Sequence, residues 1–205
     1  MLSEMNWLAF LGAMALVEMT PGPNMGWLTA LSAQQGRRVG FMAVVGITLG
    51  LGAQLILAAT GFSAFISDNQ LVYEILRWAG IGFMLYLAVE AWRETGEASP
   101  GNAKSLEGFR RGFIANLLNP KALVFYIAVV TQFAGFDGNM PSAAAILMLG
   151  SIHILIAVLV HSGLVLAGAA FGQKLADYRQ SVPVRAVFAL SLVGIAIWLA
   201  FSTHR

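Results

Sequence analysis

The sequence predicts an all-α integral membrane protein: six transmembrane helices forming two inverted three-helix repeats, with helices one and four broken at proline motifs. Three observations carry this expectation. The 205-residue chain is 58% hydrophobic and 11% charged, with a mean hydropathy of +0.75. Soluble domains are about 45–50% apolar and about 25% charged, so apolar surface on this scale needs lipid as its solvent. Six stretches reach the roughly 20 mainly apolar residues a span requires. Two of them are interrupted by helix breakers at matching places.

The six segments run over 5–33, 39–66, 71–93, 112–135, 140–172 and 184–203. The first, second and fifth exceed one span, which calls for tilt, kinks or interfacial turns. The polar stretch "ETGEASPGNAKSLEGFRR" at 94–111 divides a first repeat (1–93) from a second (112–205), the stretch itself serving as a cytoplasmic linker. Orientation follows from basic residues. Arg37, Arg38, Arg93, Lys104, Arg110, Arg111, Lys174, Arg179 and Arg185 fall on one side, and Arg77 and Arg205 on the other. This places the first set in the cytoplasm and both termini outside. No Lys or Arg precedes Arg37, so the first segment is expected to stay in the mature protein rather than act as a signal peptide.

Segment one is broken by "TPGPN", Thr20-Pro21-Gly22-Pro23-Asn24, and segment four by Asn119-Pro120-Lys121 within "GFIANLLNPKALVFY". Pro costs about 3 kcal/mol in a helix interior and Gly about 1. At 1.5 Å per residue, Lys121 lies about 14 Å in from Gly112 and Glu18 about 20 Å from Met5, near the middle of a core about 30 Å thick. Thr20-Pro21 and Asn119-Pro120 each read as an N-cap followed by proline at the first helical position, where its missing N–H is harmless. Such half-helix starts offer free N–H groups and partial positive charge, which suit a carboxylate. Three spans per half make the halves run oppositely, the pattern of transporters with a midplane site between discontinuous helices. The plainer alternative is that each proline only kinks its helix. Aligning the prolines sets His153 opposite Gln54, which carries little weight alone.

"TPGPNMGWLTALSAQQGRRVGFMAVVGITLGLG" and "FRRGFIANLLNPKALVFYIAVVTQF" resemble the two signature regions of the LysE/RhtB family of bacterial amino-acid exporters. The resemblance implies a six-helix inner-membrane exporter of amino acids or related compounds, driven by the proton gradient.

Glu18 and Lys121 are the ionisable residues expected at bilayer depth, where insertion costs at least about 2.5–3.5 kcal/mol. They are read either as a structural ion pair or as a site for substrate and protons, and one pair can serve both. In the functional reading the breaks and Lys121 receive a substrate carboxylate, and Glu18 carries the proton. Asn24, Asn116 and Asn119 orient substrate or cap backbone groups freed by the breaks. His153 and His161 share a broad face of segment five; they are candidates for a proton relay or for simple hydrogen bonds to a neighbouring helix. Their spacing supplies no third metal ligand, and no cofactor is expected.

The expected partners are an amino-acid-like small molecule, protons and the bilayer, with no nucleic acid. Gly46, Gly50, Gly52, Gly168 and Gly172 give small-residue spacing for close helix contact, within the chain or in a homo-oligomer. Two other functions stay open: an ion or metal exporter on the same scaffold, and a non-transport scaffold protein. The chain has no cysteine, which removes thiol chemistry, and the sequence carries no enzyme signature.

Overall fold

The computed structural model describes residues 7–19, 23–61, 69–93, 101–126, 130, 133, 142–174 and 181–202. A few side chains inside the helices, those of Pro23, Pro120 and Lys121 among them, lie outside this description. Every regular element among the described residues is helical: α1 (Trp7–Met19), α2 (Pro23–Gln35), α3 (Arg37–Ala59), α4 (Gln70–Arg93), α5 (Gly101–Leu117), α6 (Pro120–Phe125), α7 (Ala143–Lys174) and α8 (Val182–Ser202).

Local chemistry sets several boundaries. Gly36 takes φ 84° between α2 and α3, and Gly61 takes φ 76° just past α3; both are backbone states that L side chains rarely adopt. The Asn69 side chain accepts from the Val72 N–H at 3.1 Å and caps α4. Ser142 Oγ accepts from the Ala145 N–H at 3.2 Å and caps α7. Each satisfies one of the donors that a helix start leaves without a partner.

The first apolar segment comprises two helices of 13 residues each, α1 and α2, either one shorter than a span. Thr20, Pro21 and Gly22, expected to form that break, lie outside the described residues. In the second half α5 stops at Leu117 and α6 starts at Pro120. Between them Leu118 turns and Asn119 leaves the helix, its N–H reaching Asn116 O at 3.0 Å. Helix α5 begins within the polar stretch 94–111, so part of that stretch is helical. Among the described residues three helices, α3, α4 and α7, are long and apolar enough to cross a membrane.

Apolar side chains cover the outside of the molecule as well as filling its core. Leu155, Leu159, Leu166 and Leu190 stand well exposed, while Asn24, Gln54, Asn116, Asn119, His153 and His161 are buried. An exposed apolar mantle around an apolar core that holds a few buried polar side chains suits a bilayer. Helix α3 packs most extensively on α5, α7 on α2 and α3, and α8 on α4.

Small residues permit the closest approaches. A Cβ at Gly46 would strike the Phe109 carbonyl, and one at Gly112 the Ala43 carbonyl, across the α3–α5 seam. Gly168 and Gly172 lie in the same way against the Thr29 and Ala33 carbonyls of α2. Gly50 faces Asn116, whereas Gly52 meets nothing within 4 Å. Four of the five glycines singled out in the sequence therefore serve contacts inside one chain.

Candidate functional site

Two buried polar clusters lie at helix ends, one at the C-terminal end of α1 and the other where α5 gives way to α6. Glu18 ends α1, one residue before its last, and α7 supplies its partners. His153 Nε2 lies 2.9 Å from Glu18 Oε1, and His161 Nε2 lies 3.8 Å from Glu18 Oε2. The two histidines, eight positions apart on α7, thus converge on one carboxylate. On the other edge of its ring His153 Nδ1 meets the Tyr126 hydroxyl at 3.2 Å. Phe125 lies over the imidazole with ring centres 4.4 Å apart.

These groups are well shielded. The His153 side chain is 2% exposed and that of Glu18 12%, and Tyr126 is fully buried. Tyr126 and Val130 take π-helical winding, a local departure that often marks functional positions. A carboxylate, the His153 imidazole and a phenol in hydrogen-bonded sequence, with the second imidazole of His161 3.8 Å from the carboxylate, can hold a proton and pass it between named atoms. One tautomer rule follows from the geometry. If His153 donates Nε2–H to Glu18, its Nδ1 accepts from Tyr126 in the neutral ring and cannot do so once the ring is doubly protonated.

The second cluster belongs to the break between α5 and α6. Asn24 Nδ2 on α2 donates to Asn116 Oδ1 on α5 at 2.8 Å. Gln54 Nε2 on α3 donates to Asn116 O at 3.0 Å and lies 3.3 Å from Leu117 O. It also reaches Asn119 O at 3.4 Å. One amide thereby serves the carbonyls that the ending helix leaves open. Among the described residues, three buried atoms of this cluster have no hydrogen-bond partner: Asn24 Oδ1, Asn116 Nδ2 and Gln54 Oε1. Two acceptors and a donor are thus available to a neutral polar group.

Of the expected site residues, Glu18, His153 and His161 come together, and Asn24, Asn116 and Asn119 come together. Thr20, Pro21, Gly22 and the Pro23, Pro120 and Lys121 side chains fall outside the described residues, as does any Glu18–Lys121 contact. Two residues were undervalued in the sequence. Gln54 ranked low as an isolated amide, and Tyr126 was not singled out at all. Its only signal was a hydroxyl-bearing aromatic six positions beyond Pro120.

Peripheral ion pairs sit away from both clusters. Arg77 pairs with Glu74 at 2.8 Å and donates to the Ala200 carbonyl of α8. It is buried. Glu90 of α4 is bridged to Arg111 of α5.

An all-helical body with an apolar mantle and polar clusters at interrupted helices has the build of a membrane translocator. The chain belongs to the LysE type translocator family, whose model matches residues 15–203. It is similar to the homoserine/homoserine lactone efflux proteins of Salmonella typhimurium and Salmonella typhi, 29% identical to each over 161 residues and 77% of both chains. An uncharacterized membrane protein of Vibrio cholerae is 23% identical over 198 residues, 95% of this chain and 96% of its own length. No solved structure matches. The protein is accordingly a multi-pass membrane transporter and not an enzyme.

Proposed function

We propose that this protein exports amino acids or close derivatives from the cytoplasm in exchange for protons, through a midplane site between two inverted repeats. The observation that carries the reading is the Glu18 carboxylate of α1 held by His153 of α7 at 2.9 Å. A titratable pair joins the first half of the chain to the second, beside an interrupted helix.

The substrate class follows from family membership and from relatives named for homoserine and homoserine lactone efflux. The open atoms of Asn24, Asn116 and Gln54 match a small polar molecule that offers both a donor and an acceptor. Lys121 and the helix starts at the two breaks are assigned the substrate carboxylate. Thr20, Pro21, Gly22, Pro23, Asn119 and Pro120 shape those starts.

Two features support the inverted repeat. Gln54 and His153, opposite each other when Pro21 is set on Pro120, each reach across to the break of the other half. The pairings α3 with α7 and α4 with α8 are also unchanged when the halves are exchanged. In this arrangement Glu18 takes a proton from outside, exchanges it with the imidazoles, and releases it inward as the halves rock. The basic side faces the cytoplasm and the termini face outward, in the bacterial inner membrane.

Efflux of a radiolabelled amino-acid pool containing homoserine tests this reading in loaded cells. Wild type exports part of the pool, an uncoupler stops it, and Lys121→Ala abolishes it. Export that persists with the uncoupler contradicts proton exchange, and export unaffected by Lys121→Ala contradicts the midplane site.

A further inference from the structure

A groove distinct from both polar clusters opens where the start of α3, the first turns of α5 and the last third of α7 meet. It has a volume of about 640 Å³ and is lined by Arg37, Arg38, Phe41, Met42, Leu106 and Leu166. Small-molecule sites typically occupy about 300–1,000 Å³. The wall includes no acidic residue, and only the buried Ser105 adds a further polar side chain. Glu107, adjacent to Leu106, is engaged by Arg111.

The chemistry is graded along the groove. Arg37 and Arg38 open α3 and are exposed. Phe41 follows one turn later, about 5.4 Å further along the axis. Phe41, Leu106 and Leu166 are 38%, 58% and 54% exposed. In a membrane protein such apolar flanks face acyl chains, so a lipid is the occupant that reaches both zones. Two guanidiniums at the rim choose its charge, because their planar forks match phosphate oxygens. Basic pockets between helices at the membrane edge are built for anionic headgroups.

We propose that this groove is a binding site for an anionic phospholipid, with the headgroup phosphate on Arg37 and Arg38 and an acyl chain along Phe41, Leu106 and Leu166. The site needs neither the transport reading nor the orientation of the chain.

Native mass spectrometry of the full-length protein in detergent, with phosphatidylglycerol or phosphatidylethanolamine added, tests it. Wild type retains phosphatidylglycerol at least tenfold better than phosphatidylethanolamine. Retention falls at least fivefold in the Arg37→Gln/Arg38→Gln double variant and stays near wild type in Arg37→Lys/Arg38→Lys. Because Arg37 and Arg38 also set membrane orientation, a Leu106→Trp/Leu166→Trp variant fills the groove with both charges intact, and it too loses the lipid fivefold. Equal retention of the two lipids overturns the proposal, as does full phosphatidylglycerol retention by the tryptophan variant. Displacement of phosphatidylglycerol by millimolar inorganic phosphate overturns it as well, since the groove would then hold the anion alone.

Discussion

At the residue scale, Glu18 and His153 form the contact on which the account turns. An ionisable pair inside a bilayer is expensive unless each member is matched, and here Glu18 meets two imidazoles while His153 is held by Tyr126 on its far edge. Substituting either partner separates a structural role from proton handling. Glu18→Gln keeps the size and hydrogen-bonding capacity of the side chain but cannot titrate. We expect it to fold normally and to lose at least tenfold in proton-driven export, with the pH dependence of export flattened. His153→Gln tests the other half of the pair. It should retain hydrogen bonding to Glu18 yet lose pH-dependent export to a similar degree. Unchanged pH profiles in both variants assign the pair to structure alone, and thermal stability in detergent checks the fold.

At the element scale, small residues and one amide let helices meet at the breaks. The α3–α5 seam is close enough that Gly46 faces the Phe109 carbonyl, and side-chain growth there forces backbones apart. Overpacking costs about 1–3 kcal/mol. Gly46→Leu is expected to lower the unfolding temperature, whereas Gly52→Leu, where nothing lies within 4 Å, leaves it near wild type. Similar losses in both variants contradict the seam. Gln54→Leu removes the donor serving the end of α5, and an unsatisfied buried polar group costs about 1–3 kcal/mol. Melting curves of Gln54→Leu and the conservative Gln54→Glu distinguish lost donation from lost packing: Leu and Glu both weaken the protein if donation matters.

The legibility of the sequence varies with range. The membrane class, the helices and the interruption before Pro120 follow from local composition and backbone chemistry, so they are readable in order along the chain. That Glu18 belongs to an apolar stretch was readable from the sequence. Its partner was not, because Glu18 and His153 are 135 positions apart and nothing local to either names the other. The same holds for Gln54, whose value comes from the three carbonyls it reaches across the fold. Tyr126 was missed because an aromatic in an apolar run reads as packing; only the neighbouring helix reveals its hydroxyl contact.

At the scale of the whole molecule, close backbone approaches gather on the arginine-rich side. Gly46 and Gly112 join α3 to α5 there, and Gly168 and Gly172 join α7 to α2. Helix α1, on the other side of the first break, packs on α7 far less extensively than α2 does. On the proposed orientation these seams lie toward the cytoplasm. The cysteine-free sequence makes a clean test available. Ala43, fully buried in that seam, should in an Ala43→Cys variant react slowly with a small thiol reagent at rest and faster while substrate is being exported. Equal rates contradict an opening at this seam.

The most direct test of the central claim uses purified protein in vesicles loaded with radiolabelled homoserine under an imposed pH gradient. The account predicts release that follows the direction and size of the gradient in wild type, and release indifferent to the gradient in Glu18→Gln. Gradient-driven release of equal rate in the two proteins would remove Glu18 from the coupling mechanism and contradict the account.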